Sequence, residues 1–157
     1  MSIRIELRYA VLTSLLVLLW LIMEFEIGLQ DKYVAFHPYI SLLAFLIPVV
    51  TYRLAIREKI EEKYGKLSFK QAFVSGLLMT FFCSILAVPI QIGFQKLVNP
   101  DFFETMILHA AQSGKTSPEQ ALAFFNLRSY IIESTLYTFL FGVVLSLVFA
   151  FRMRTIK

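Results

Sequence analysis

One cysteine, Cys83, and two histidines, His37 and His109, are all the thiol and imidazole groups in the 157 residues. A single thiol excludes an internal disulfide and a cysteine-rich metal site. The histidines have no companions at ligand spacing. His37, just before Pro38, reads as an interfacial residue, and His109 as one on the polar side of its helix. The sequence also lacks an HExxH stretch, a serine elbow between glycines and an aspartate pair inside an apolar run, so it carries no set for hydrolysis. Charge is scarce: 17% of residues are charged and 58% are hydrophobic. Soluble domains carry about 25% charged residues. The basic residues flank apolar runs instead of interleaving with exposed aromatics, which argues against nucleic acid as a partner.

What is present is long apolar runs. Tyr9 to Met23, Pro38 to Tyr52, Gln71 to Gln95 and Ser134 to Phe151 are each free of charge and bounded by charged residues or His37. A helix needs about 20 residues to cross about 30 Å of hydrocarbon. The last two runs meet that length, and the first two meet it when flanking residues snorkel to the interface. The expectation is one all-α domain over residues 1–157, a polytopic membrane protein with four transmembrane helices over about 7–27, 37–56, 70–95 and 130–151. A re-entrant second segment is the alternative. The first run is not expected to be a cleaved signal, because Glu6 precedes it and no small-residue cleavage site follows. Cys83, midway along the third run, is expected to be buried and inert.

Eleven of the 15 Lys and Arg residues fall on the side of the termini and the second connection, and four on the other side. Positive charge favours the cytoplasm, so the chain is expected in a bacterial inner membrane with both termini cytoplasmic. The connection REKIEEKYGKLSFK reads as a solvated extension of the second helix, stopped at Gly65, with Ser68 capping the third.

SGKT, residues 113 to 116, has the ending of a phosphate-binding loop. That loop also needs a preceding strand and a glycine where His109 stands. No nucleotide is therefore expected. The same letters punctuate an extracytoplasmic helical hairpin between helices 3 and 4. Asn99 can cap an amphipathic helix over about 100–112, Gly114 ends it, and Ser117 with Gln120 forms a capping box. The helix starting at Pro118 can continue unbroken into the fourth crossing.

The polar residues that stand out are Glu24 and Glu26 at the outer end of the first helix, because a carboxylate at membrane depth needs a partner or water. Lys32, Lys96 and Arg128 are the cations expected at that level, with Glu133 a further acid. Pro48 and Pro89 should bend their helices, and Gln91 and Gln95 follow Pro89 in position to bond between helices.

YGKLSFKQAFVSGLLMTFFCSILAV and LVNPDFFETM resemble the family called domain of unknown function 4199, small four-helix membrane proteins of Bacteroidota. The matching positions are Gly65, Ser68-Phe69 and Ala72-Phe73, then Asn99 to Phe102. The resemblance implies topology and a bacterial inner membrane, and it brings no activity, cofactor or catalytic residue. The functional expectation is a non-enzymatic protein that associates with itself or with an envelope partner, with the bilayer as its medium. The alternative is a small transport or channel subunit using Glu24, Glu26 and the Pro89–Gln95 stretch. A membrane enzyme is the third and weakest reading. No cofactor is expected in any of them.

Overall fold

A computed structural model of the chain describes residues 3–112, 114 and 116–156. Among these residues the fold is all-α. In chain order the helices are α1 (Arg4–Glu26), α2 (His37–Glu62), α3 (Phe69–Val98), α4 (Phe102–Gln112), α5 (Pro118–Phe124) and α6 (Leu127–Met153). Helices α1, α2, α3 and α6 have 23, 26, 30 and 27 residues, each long and apolar enough to cross a membrane. The two short helices fill the connection at one end of the bundle, here the hairpin end. The other end, the termini end, carries the start of α1 and the finish of α6.

Burial in this bundle follows the logic of lipid, not of water. Leu15, Leu19, Val50, Phe81, Ile85, Leu140 and Val144 face outward, while Ala10, Thr13, Thr51, Ser75, Thr80 and Ser146 face inward. Hydrocarbon solvates leucine as well as a protein interior does, so helices gain by bringing small residues together and bonding polar ones across the seam. Helices α3 and α6 form the most extensive pairing. A methyl group added at Gly76 would lie 2.6 Å from Ser146 Oγ, and one at Gly142 would lie 2.6 Å from Thr80 and 2.8 Å from Tyr52 Oη. In the same seam the Tyr52 hydroxyl is 2.9 Å from Thr80 Oγ1, which is 3.3 Å from Ser146 Oγ.

The helix ends follow their capping residues. Ser68 accepts from the Gln71 N–H and Gln71 returns a bond to the Ser68 N–H; Ser117 and Gln120 do the same. Gly65, with φ of +80°, takes the left-handed turn that ends α2, its N–H reaching the Ile60 carbonyl. Beyond α6, Thr155 exchanges bonds with the buried Leu67, which ties the tail to the α2–α3 connection.

Three features differ from the sequence reading. The Asn99 side chain does not cap α4; it turns inward and donates to Gln30 Oε1 at 2.9 Å, and the helix starts at Phe102. The helix from Pro118 does not run on into the last crossing. It stops at Phe124, and Asn126, in extended backbone, caps a new helix by accepting from the Ser129 N–H. The prolines are accompanied by changes of helical pitch. Ser41–Phe45 winds as a 3-10 turn ahead of Pro48, which has no N–H for the Ala44 carbonyl. Phe94–Val98 winds as a π turn after Pro89.

The seam makes a measurable claim. Gly142→Ala should lower the unfolding free energy in detergent by about 1–3 kcal/mol, the cost of overpacking a tight site. Gly93→Ala, where an added methyl meets nothing within 4 Å, should be neutral or stabilising in the same thermal assay.

Candidate functional site

Two buried carboxylates mark the opposite ends of a polar interior. At the hairpin end, Glu24 closes α1 with 1% of its surface exposed. Trp20, one turn earlier, donates its indole N–H to Glu24 Oε1 at 2.7 Å. Ser41, in the 3-10 turn of α2, donates its hydroxyl to the same oxygen at 2.5 Å. Gln30 donates to Oε2 at 3.3 Å, and His37 Nε2 lies 3.5 Å from that oxygen. Phe102 of α4 packs edge-on against both His37 and Tyr130, so the hairpin covers this network.

At the termini end, Glu6 is fully buried. Ser75 of α3 donates to its Oε1 at 2.6 Å, and Lys59 of α2 reaches the same oxygen at 3.1 Å. The Lys59 ammonium, 1% exposed, also lies 2.8 Å from Glu62. Arg8 and Glu58 pair beside it at the surface. Three helices are thus joined through one carboxylate, where a removed partner would leave a charge uncompensated.

Between the two ends lies a cavity of about 290 Å³. Its polar lining comes from Thr13, Ser41, Tyr52, Gln91, Tyr130, Ser134 and Thr138, and its apolar lining includes Val17, Pro48 and Phe141. Cys83 also lies on its wall, itself buried. The Gln91 Oε1 is buried with no hydrogen-bond partner among the described residues. Ser41 belongs both to this lining and to the Glu24 network. Toward the termini end the interior is closed by an apolar layer that includes Ala10, Ala55, Met79 and Leu145.

The residues singled out in the sequence are thus placed unequally. Glu24, Gln91 and Gln95 are buried, and Gln95 Oε1 likewise lacks a partner among the described residues. Glu26, Lys96 and Arg128 are exposed, and Glu133 is half-buried. The partners of Glu24 are Trp20, Gln30, Ser41 and His37, not the cations Lys32, Lys96 or Arg128. His37 is therefore part of the network and not a bystander at the interface. The solvated reading of the α2 extension fails at Lys59, which the packing of α1 and α3 takes out of water. Lys115, the lysine of SGKT, lies outside the described residues.

Glu6 and Lys59 were missed, although a signal exists. Glu6, Ala10, Thr13, Val17, Trp20 and Glu24 recur at alternating spacings of four and three along α1. In an otherwise leucine-rich helix that stripe is one face.

Four helices long and apolar enough to cross a membrane, packed with polar residues between them, have the composition and lengths of a polytopic α-helical membrane protein. Among families, the chain belongs to the proteins of unknown function DUF4199, whose model matches residues 8–155. No curated protein and no solved structure matches it significantly.

The two ends can be probed separately. Lys59→Met should cost about 3–5 kcal/mol, because Glu6 keeps its charge without its cation. The double variant Glu6→Gln/Lys59→Met should regain most of that loss, as read by thermal unfolding in detergent. At the other end, Glu24→Gln should cost about 1–3 kcal/mol through mismatched hydrogen bonds, whereas the exposed Glu26→Gln should lie within measurement error of the parent.

Proposed function

We propose that the protein is a small transport unit of a bacterial inner membrane, passing a small uncharged polar solute through the bundle with proton exchange at Glu24. One observation carries the reading: Ser41 donates to the buried Glu24 and also lines the interior cavity. An ionisable residue buried within a membrane span is costly, and such residues mark ion and substrate pathways. When Glu24 is ionised it holds the Ser41 hydroxyl. When Glu24 takes a proton it can donate in its turn, and Ser41 is free to bond a solute in the cavity. His37, beside the other carboxylate oxygen, is the group placed to exchange that proton. At about 290 Å³ the cavity lies at the small end of ligand sites, and its mostly apolar wall, carrying a few hydroxyl groups and the Gln91 amide, suits a small uncharged solute with one or two polar groups. Glu6 and Lys59 supply the second ionisable station. The reading is non-enzymatic, with Glu24 and His37 serving as proton sites and the Ser41 hydroxyl as a hydrogen-bonding group.

The orientation adopted here puts both termini in the cytoplasm and the α4–α5 hairpin outside, on the bias of eleven basic residues against four. Association with a partner remains the rival reading. Exposed apolar side chains are spread over all the long helices, as lipid contact requires, and mark no one face for a partner.

Purified protein in liposomes under an imposed pH gradient, with glycerol supplied as the probe solute, should show proton entry above that of empty liposomes. Glu24→Gln should reduce it at least about tenfold, the scale expected for loss of a positioned proton carrier. A parent protein as inert as empty liposomes would sink the transport reading. With Cys83 replaced by Ala, a cysteine at Glu119 should react with an impermeant maleimide in cells whose outer membrane is opened. A cysteine at Lys66 should react only after the inner membrane is breached, and the reverse pattern would invert the topology.

A further inference from the structure

At the termini end, α2 and α6 enclose a groove of about 610 Å³ on the outer surface of the bundle. Its apolar lining is Val49, Leu145, Val148, Phe149 and Met153, and its only polar side chains are Arg53 and Arg152. Several other basic residues of this end are paired within the protein, and Lys63, Lys66 and Lys70, which like Arg53 and Arg152 form no ion pair among the described residues, lie away from this groove. Arg8 pairs with Glu58, Arg57 with Glu61, Lys59 with Glu6 and Glu62, and Arg154 lies over the Phe151 ring. Arg53 and Arg152 are exposed and have no acidic partner among the described residues. Arg53 also stands between Val50 and Leu54, both exposed apolar residues of α2, so it emerges among lipid-facing side chains. An unmatched guanidinium at that position needs an anion, and a channel of aliphatic and aromatic side chains beside it needs a hydrocarbon chain.

We propose that this groove binds an anionic phospholipid, its headgroup phosphate held between Arg53 and Arg152 and one acyl chain lying along Val148 and Phe149. The guanidinium fork matches phosphate oxygens in pairs, which an ammonium does not. Basic pockets between helices near the headgroups suit anionic lipid. The site shares no lining residue with the cavity that Ser41 lines and is independent of transport. Lipid bound there would bridge α2 and α6, the helices that carry Ser41 and Gly142.

The test is a lipid titration of the purified full chain in detergent, followed by native mass spectrometry. Phosphatidylglycerol should bind in a discrete first step, tighter than phosphatidylcholine of the same acyl chains. Arg53→Gln and Arg152→Gln should each weaken that step about fivefold, the weight of one basic residue at an anionic surface. Arg57→Gln, which removes the same charge from a residue already paired with Glu61, should leave it within twofold. Val148→Trp, which fills the groove without changing charge, should also weaken it, and binding by both lipids should fall. Thermal unfolding of each variant without lipid shows whether the fold is kept. Equal binding of the two lipids, an Arg57→Gln loss as large as that of Arg53→Gln, or full competition by inorganic phosphate at the lipid's concentration would each overturn the proposal.

Discussion

A bilayer core offers no hydrogen-bond partner, so every polar group that enters it must be matched by the protein itself. This bundle answers most of the constraint by turning its polar residues inward and tying them across helices, and the exceptions among the described residues are one oxygen each of Glu6, Gln91 and Gln95 and the Thr135 hydroxyl. Glu6 alone engages α2 through Lys59 and α3 through Ser75. Glu24 engages the first connection through Gln30 and α2 through Ser41. The leucines are left for lipid, where they cost nothing. The relative rotation of α1, α2 and α3 follows from which polar faces must meet, because a rotation of one helix by a quarter turn would strand a charge.

The same constraint explains where backbone geometry departs from the regular helix. The 3-10 turn carries Ser41, the side chain that reaches Glu24. The π turn carries Phe94 and Gln95 into the interior while Leu97 points out, 84% exposed. A π turn inserts a residue and shifts the phase of the face that follows, and such turns frequently sit at functional sites. Both irregular stretches lie toward the hairpin end. The termini end is regular in its helices and closed by a buried ion pair, so the two ends of the bundle differ in helical regularity and in the groups they bury.

The broad architecture was legible because hydropathy is additive along a run: four uncharged stretches and their bounding charges predict helices at α1, α2, α3 and α6 whatever their neighbours do. Caps were legible for a similar reason, since Ser68, Gly65 and Ser117 act within one turn of chain. The site was legible only in part. Glu24 stood out as an acid at depth, but its partners come from Gln30, His37 and Ser41, brought back by a connection whose path no local pattern encodes. Gln91 and Gln95 stood out beside Pro89, and both are buried. Lys59 was lost among Arg57, Glu58, Glu61 and Glu62, where a run of charges looks solvated. What distinguishes it is its place on the stripe of Thr51, Tyr52, Ala55 and Ile56, a signal carried by helical phase and averaged away by any window that sums hydropathy. The hairpin failed at Asn126 because a cap in the middle of a helical pattern and a helix that runs on have similar local composition.

The seam between α3 and α6 has a consequence for how this bundle can move. Gly76 faces Ser146, and Gly142 faces Thr80 and Tyr52. Apart from Tyr52, side chains this short cannot swing aside like a gate, because almost nothing extends beyond the backbone. Opening the seam at that level would therefore require whole helices to separate, breaking the hydroxyl contacts of Tyr52, Thr80 and Ser146 together. The seam is thus held by backbone proximity and by hydroxyl contacts that would be lost as a group.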